Sequence, residues 1–386
     1  MSLTLLTEEQ REIQSLARNF ARDEITPFAA QWDRDSHFEP GLVTKLGELG
    51  FLGLMIPEEY DGLGLDTLSY LVALEEIARA DASVAVMLSV HNSLPTQMLL
   101  RWGSAAQKER YLKPMARGEL LGAFALSEAE SGSDASSLSC QAVREGDDWI
   151  INGTKTWVTS GSHAGVIIAM MRTDTPGARK GSKGISAFII TPDLPGFSVS
   201  KKEDKMGLRA SPTVQLAFDH CRVPADRLLG DEGQGFIYAL QSLDNGRLGI
   251  AAQALGIAQA SLDASLAYAA ERRQFGTAIR DFQAIQFKLA DMASRITASR
   301  ALLHATAAAK DRGEPITVYG SMSKLMASET AMWAATEAVQ IFGGYGYVKE
   351  YPVEKLFRDA KITEIYEGTS EIQRVVIARQ LYAQQD

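Results

Sequence analysis

Cysteine is nearly absent from the chain: two residues in 386, Cys140 and Cys221, far apart and in no C-x-x-C. That excludes a disulfide framework and leaves reduced structural thiols as the expectation. Histidine is almost as scarce. The five, at 37, 91, 163, 220 and 304, include no pair at helical ligand spacing, so no metal site is expected. No twenty-residue apolar run and no signal-peptide pattern is present, which predicts a soluble, cytoplasmic protein with no membrane insertion. Positive charge is also short. With 39 Lys and Arg against 48 Asp and Glu, the net charge of −9 argues against nucleic acid as the partner. Local basic groups for a small anionic ligand remain compatible with that balance.

What is present is ordinary globular material, 46% apolar and 23% charged, and too long for one small core. The hydrophobic period divides it. Thr7 and Gln10 form a capping box opening an amphipathic helix with Ile13, Leu16, Ala17, Phe20, Ala21 and Ile25 inward, ended or bent by Pro27. Further helical runs are predicted at 41–49, 66–80, 93–102 and 105–116, giving an α-helical domain over 1–119. The glycines at 62 and 64 follow no strand, so they are not a dinucleotide fingerprint. From 120 the pattern becomes short and alternating, with strands predicted at 120–126, 139–144, 149–152, 156–159, 166–171, 185–191 and 213–218. Gly146 to Asp148 and Asn152-Gly153 read as hairpin turns. A middle domain over 120–229, a small antiparallel β barrel or a pair of packed sheets, follows. Beyond it, long helices at 236–273, 281–311, 315–341 and 352–362 predict an antiparallel four-helix bundle over 230–386. The fold class is α+β, mainly α.

The segment 362–373, ITEIYEGTSEIQ, joins two helices, the first with Val353, Leu356, Phe357 and Ala360 on one side, the second with Ile372, Val375, Val376 and Leu381 inward. Ser370 and Gln373 read as a capping box, leaving Glu367 on a short turn before a glycine. A carboxylate there can project into a cavity as a base. The segment resembles the catalytic loop of the acyl-CoA dehydrogenases, flavoenzymes that desaturate acyl thioesters between the α and β carbons. The resemblance runs from about residue 5 to residue 382 and includes their helical–β–helical order. It implies that Glu367 removes the α-proton and that its backbone amide holds the thioester oxygen.

Removing that proton also demands an electron acceptor that side chains cannot supply, which FAD fits. The loop 124–134, FALSEAESGSD, resembles the family's isoalloxazine-contacting loop, implying roles for Phe124, Leu126, Ser127, Gly132 and Ser133. It departs at Ala129, where proline is usual, and at Glu130-Ser131, where the turn is usually richer in glycine. The segment Trp157, Val158 and Thr159 resembles the second flavin segment; read alone, Trp157 would be a sheet-core aromatic. The segment 271–276, ERRQFG, with Gln283, resembles the pyrophosphate segment, with Arg272 in register. Gln340 to Gly344 is its companion, and Gly343 and Gly344 permit close backbone approach. In the family both segments reach the flavin of a neighbouring subunit, implying a dimer at least and a homotetramer commonly. Thr369, Ser370 and Glu371 match a further flavin contact.

For the substrate, Asp244, Asn245, Gly246 and Arg247 lie mid-helix, where a glycine is unfavourable unless something approaches closely. By resemblance they line the acyl and pantetheine channel, with Ser133 bonded to the pantetheine and Gly368 beside the thioester. Isovaleryl- and long-chain-type members carry their base at the position of Gly246, so its glycine leaves Glu367 as the base. Glu364 reads as a helix-end carboxylate and 205–211, KMGLRAS, as a domain-junction signature. The pattern is most like short-chain or butyryl-type members, with chain length set near 89–94 and branched acyl groups open. Electron-transferring flavoprotein is the implied acceptor. An acyl-CoA oxidase and a non-catalytic flavin-containing scaffold are the alternatives. A glutaryl-type decarboxylase fits less well, since Ser370-Glu371 stands where His-Asp is typical.

Overall fold

The computed structural model describes residues 3–173 and 181–383. Helix α1 (Glu8–Phe20) begins at the predicted capping box: Gln10 N donates to Thr7 Oγ1 at 3.2 Å and Thr7 N to Gln10 Oε1 at 2.9 Å. A π turn over Ala21–Ile25 follows, then α2 (Ala29–Asp35) and α3 (Gly41–Glu48). Helices α4 (Thr67–Ala80) and α5 (Ala82–Ser93) are separated by one residue. Asp81 breaks them by turning extended, φ −156°, and caps α5 by accepting from Ser83 N and Val84 N. The predicted helices leave 82–92 unassigned because α5 is buried all round and shows no amphipathic period. Helix α6 (Pro95–Trp102), then α7 (Ala105–Gln107), a second π turn and α8 (Lys113–Ala116), complete the N-terminal region.

The middle region is a single eight-stranded sheet. Its path runs β6 (Phe197–Lys202), β7 (Thr213–Pro224), β3 (Asp148–Thr159), β2 (Gln141–Glu145), β4 (Val166–Arg172), β5 (Ile185–Ile190) and β8 (Leu228–Leu229); β1 (Gly122–Ala125) joins β4. The path is open, with β6 and β8 at its ends among the described residues, so the expected closed barrel is not formed. Pairing is antiparallel except for β1 on β4 and one bridge between β2 and β4. The expected hairpin at Asn152-Gly153 is also corrected. Residues 148–159 are one strand, and its register against β7 shifts between Ile151 and Gly153. Gly153 has φ +137°, and an added Cβ would lie 2.8 Å from Cys140 Sγ, so the glycine marks a bulge pressed against β2.

The 37-residue α9 (Gly235–Glu271) packs on α4 and α5 on one side and on α11 (Thr317–Phe342) on another. With α10 (Gln283–Asp311), α12 (Val353–Thr363) and α13 (Ser370–Ala383) it makes the C-terminal bundle. Between α9 and α10 lies a small hairpin, β9 (Arg273–Gln274) and β10 (Thr277–Ala278). Because α9 is buried on nearly every side, the N- and C-terminal helices share one hydrophobic core, from Ala17 to Ala360. Helix α12 ties the regions together. Arg358 pairs with Asp33 of α2 at 2.6 Å, and Lys355 with Asp81 at 2.9 Å and Asp359 at 2.6 Å. Asp359 accepts from Leu208 N at 2.7 Å, and a Cβ on Gly207 would meet Arg358 O at 2.5 Å. The 205–211 signature therefore does sit at the junction of the sheet with α12.

Candidate active site

Helix α12 stops at Thr363, and the chain turns through Glu367 and Gly368 before α13. Both have left-handed backbones, φ +52° and +90°; glycine tolerates this readily, glutamate at a cost of about 1–2 kcal/mol. The turn survives because its carbonyls are held. Gln373 Nε2 donates to Gly368 O at 2.9 Å and Glu367 O at 3.3 Å, and Lys324 Nζ of α11 donates to Gly368 O at 2.8 Å. Tyr366 OH donates to Gln253 Oε1 of α9, whose Nε2 donates to Ala82 O at 2.8 Å. Three parts of the chain, α9, α11 and α13, thus grip three residues.

This geometry corrects the expected capping box. The N-cap is Thr369, whose Oγ1 accepts from Ile372 N at 3.3 Å; Ser370 is the first helical residue and its buried Oγ has no partner among the described residues. Gln373 reaches past the cap amide to the turn carbonyls, because two left-handed residues turn those carbonyls towards it. Val375 and Leu381, expected inward, are exposed. Glu364 ends α12 in an ion pair with Lys361, as a helix-end carboxylate should.

The Glu367 carboxylate is enclosed. Both oxygens are buried and neither has a hydrogen-bond partner among the described residues. A Cβ at Gly246 of α9 would lie 2.0 Å from Oε2, so the mid-helix glycine is the gap into which this carboxylate fits. Burial pushes the group up to about 7, against the pull of Lys324 and then Arg247. Arg247 is held by Asp244 Oδ1 at 2.6 Å and Ser321 Oγ at 3.3 Å, and Thr317 Oγ1 donates to Asp244 Oδ2 at 2.8 Å. Asn245, between them, is half-buried. One turn further along α9, Gly249 lies against Ser89 and Tyr70, 2.4 Å and 2.7 Å from an added Cβ to Oγ and OH. Of the expected floor residues, Ser89 is there, while Val90 and Leu94 point into the helical core.

The two β segments are joined to each other. Glu128 and Ser131 exchange backbone hydrogen bonds of 2.9 and 3.1 Å, closing a tight turn through Ala129 and Glu130. Buried Lys155 donates to Leu126 O at 3.1 Å and to Glu128 Oε1 at 2.7 Å. Glu128 also accepts from Ser139 N, Ser139 Oγ and Cys140 N, and Thr156 N donates to Ser127 O at 2.9 Å. These donors hold Glu128 below the usual carboxylate range despite its burial. Phe124 and Leu126 are half-buried, whereas Gly132 and Ser133 are exposed. Trp157 has φ +60° and is 62% exposed, so it is not a sheet-core aromatic. Val158 is fully buried in the sheet core, leaving only its backbone for a ligand, and Thr159 is half-buried.

A separate cleft of about 900 Å³ opens at the other end of α9. Arg272 lines it together with Gly343 and Gly344, its guanidinium 5.4 Å from the centre of the Tyr345 ring. Gln283 and Gln340 lie nearby in sequence, exposed, but outside its lining. No residue of 124–159 or of the Glu367 turn lines this cleft. Beside it, Phe275 and Gly276 turn the β9–β10 hairpin with φ +52° and +82°, leaving the phenyl ring 96% exposed. A Cβ placed at Gly132, Gly343 or Gly344 would meet nothing within 4 Å, so backbone at these points faces open space. Open backbone at Gly343 and Gly344, a wide aromatic-lined cleft with Arg272 in its wall and an exposed indole suit a large heterocyclic cofactor that carries phosphate. Among the described residues no cluster of His, Cys, Asp and Glu could hold a metal, and no helix is long and apolar enough to cross a membrane.

The order of the three regions has counterparts in known proteins. Residues 7–119, 123–221 and 233–382 match, in turn, the N-terminal, middle and C-terminal domains of acyl-CoA dehydrogenase. The chain belongs to the acyl-CoA dehydrogenase family. It is 50% identical to the mitochondrial short-chain specific acyl-CoA dehydrogenase of Mus musculus, over 97% of this chain and 90% of that one. Its fold superposes on butyryl-CoA dehydrogenase from Megasphaera elsdenii with a TM-score of 0.96 at 44% identity, covering 98% of this chain and 99% of that one. A chain from a structural study of the electron transferring flavoprotein of Acidaminococcus fermentans matches with a TM-score of 0.96 at 45% identity, covering 99% of both. As an acyl-CoA dehydrogenase the protein is an oxidoreductase. Several residues of this acyl-CoA dehydrogenase's site had no signal in the sequence: Lys324, Gln253 and Tyr70 lie in unremarked stretches of long helices. The Glu128–Lys155 pair was within reach, since both residues flank segments already singled out.

Proposed function

We propose that the protein is an FAD-dependent dehydrogenase of short to medium acyl-CoA thioesters, branched chains included, yielding the trans-2-enoyl-CoA. Glu367 is the base. Its carboxylate is buried, unpartnered and free to receive a proton, and this observation carries the reading. With the group pushed up to about 7, ionised and protonated forms are both accessible near neutral pH, as a base poised for proton transfer requires. The proton leaves the α carbon for a Glu367 oxygen as the α–β double bond forms. The Glu367 amide would donate to the thioester oxygen and so stabilise the enolate-like charge. A bound FAD supplies the two-electron acceptor for the hydride that leaves the β carbon.

Family members are flavoproteins. Phe124, Leu126, Ser127, Gly132, Ser133, Trp157, the backbone of Val158, Thr159, Thr369, Ser370 and Glu371 would hold the flavin end. Asp244, Asn245, Gly246, Arg247, Gly368 and Ser133 would line the acyl and pantetheine path. Arg272, Gln283, Gln340, Gly343 and Gly344, with the exposed Phe275, would close over the cofactor of a second subunit in a homotetramer, which fits their separation from the other segments. Electrons would pass on to electron-transferring flavoprotein, the subject of the study from which one matching chain comes. The similarity to short-chain and butyryl enzymes and the close approach of Tyr70 and Ser89 to Gly249, one turn from Gly246, support a short acyl chain.

Anaerobic titration of the purified protein with butyryl-, isobutyryl-, isovaleryl- and octanoyl-CoA tests this directly. The expected outcome is prompt bleaching of the flavin absorbance by a short thioester, lost in Glu367→Gln. Bleaching that survives Glu367→Gln would remove Glu367 as the base, and oxygen uptake during turnover would turn the assignment to an oxidase.

A further inference from the structure

Lys324 is a charged residue in the interior that no part of the proposed reaction uses. It sits mid-way along α11 with no exposed surface, and Gly368 O, at 2.8 Å, is the hydrogen-bond acceptor that its ammonium has. That carbonyl belongs to the residue immediately after Glu367. An aliphatic or neutral residue would serve packing equally well, and burying an ammonium against one neutral acceptor is unfavourable by itself. Burial pulls the lysine down to about 8, and the charge it feels most strongly in return is Glu367.

We propose that Lys324 is the positioning residue of the base: it fixes the left-handed Glu367–Gly368 turn through the Gly368 carbonyl and supplies the cation that faces the unpartnered carboxylate. This rests on the reading of Glu367 as the base. The geometry separates the two functions. The hydrogen bond acts on the peptide and sets where Glu367 points; the charge acts on the carboxylate and sets when it is ionised. Other charged or titratable groups around Glu367 are Arg247, already engaged by Asp244 and Ser321, and the hydroxyls of Tyr70 and Tyr366, one bonded to Ser89 and the other to Gln253. Lys324 makes no ion pair with any carboxylate among the described residues; Glu364 and Glu371 also act on it, more weakly than Glu367. The proton moves only between substrate carbon and Glu367; Lys324 keeps its own.

Glu367 works as the ionised form, so its activity rises as pH passes its titration. Loss of a stabilising cation moves that rise to higher pH, by about one unit for a close pair. The experiment uses the flavin-loaded protein and follows the pH profile of kcat with a short acyl-CoA, in wild type, Lys324→Met, Lys324→Gln and Glu367→Gln. Glutamine keeps an amide donor and loses the charge. Expected results are an alkaline shift in both lysine variants and about fivefold lower kcat at pH 7, since moving the titration one unit up from about 7 leaves roughly a fifth of the ionised fraction at that pH. KM should change little, and deuterium exchange in peptide 364–373 should quicken in Lys324→Met more than in Lys324→Gln. A Lys324→Met enzyme with the wild-type profile and exchange overturns the proposal; if that variant does not fold, an unshifted profile in Lys324→Gln does so. If Glu367→Gln is itself fully active, the parent assignment falls and takes this one with it. An inactive Glu367→Gln beside an unshifted Lys324 variant sinks the lysine assignment alone.

Discussion

Gly246 and Glu367 are complementary in shape: the helix α9 lacks a side chain where the carboxylate of the α12–α13 turn comes to rest, and a Cβ there would stand 2.0 Å from Oε2. The two residues are 121 positions apart in sequence, and each explains the oddity of the other. Gly246 is a weak helix former in the middle of a long helix, and Glu367 is a non-glycine residue in a left-handed conformation.

Gly246→Ala should therefore separate activity from stability. The colliding atom is the end of a flexible side chain, so the helix can keep its place while the carboxylate moves aside. Alanine also gains up to about 1 kcal/mol in helix propensity. We expect kcat to fall by roughly ten- to a hundredfold from a displacement of about 1 Å, with thermal unfolding unchanged or raised.

The pH dependence of stability follows from the same carboxylate. Its folded-state value, about 7, lies above the ordinary 4.5, so the unfolded chain gives up this proton first as pH rises. Between about 4.5 and 7 the folded state then loses stability relative to the unfolded one, by up to about 3 kcal/mol at 1.36 kcal/mol per unit. Glu367→Gln lacks this titration. Its stability relative to wild type, measured by urea unfolding, should improve from pH 5 to about pH 7 and then level off; a constant difference would contradict the raised value.

Lys155→Met leaves the Glu128 carboxylate buried without its cation. Breaking a buried pair from one side costs about 3–5 kcal/mol, and removing both partners costs less. A double-mutant cycle with Glu128→Gln should show strong coupling in chemical denaturation. Both single variants should also release flavin more readily, because the pair fastens Leu126 O and, through Glu128, the 139–140 backbone to the strand that carries Trp157.

Thr369→Ala and Ser370→Ala should differ in a direction opposite to the sequence-based capping assignment. Loss of the Thr369 cap costs about 1 kcal/mol. Ser370 Oγ is buried without a partner, so its removal is neutral or stabilising. Thermal unfolding of the two variants distinguishes them.

How far the sequence could be read depended on whether a signal was local. The cap at Thr7, the long helices and most apolar strands were visible because each repeats its pattern over its own length. Strands β6 and β8 were missed because one is exposed and polar after Phe197 and the other is only two residues long. Strand β3 was split because Asn152-Gly153 resembles a hairpin turn, whereas the glycine is there for Cys140, just before the neighbouring strand β2. In the site, Glu367 and Arg272 were found through motif resemblance. Lys324, Gln253 and Tyr70 were not, because each looks like an ordinary helical residue until folding brings α11, α9 and α4 to the same turn.

The helix α12 has one more implication. It carries ties to Asp33, Asp81 and Leu208, one in each of three distant stretches, and its last residue leads into the Glu367 turn. The base is therefore aligned only when helix α2, the α4–α5 junction and the sheet edge have all docked. Enzymatic competence becomes a late and cooperative property of the chain, and during denaturation activity should vanish together with the global transition, with no partly unfolded species still able to turn over substrate.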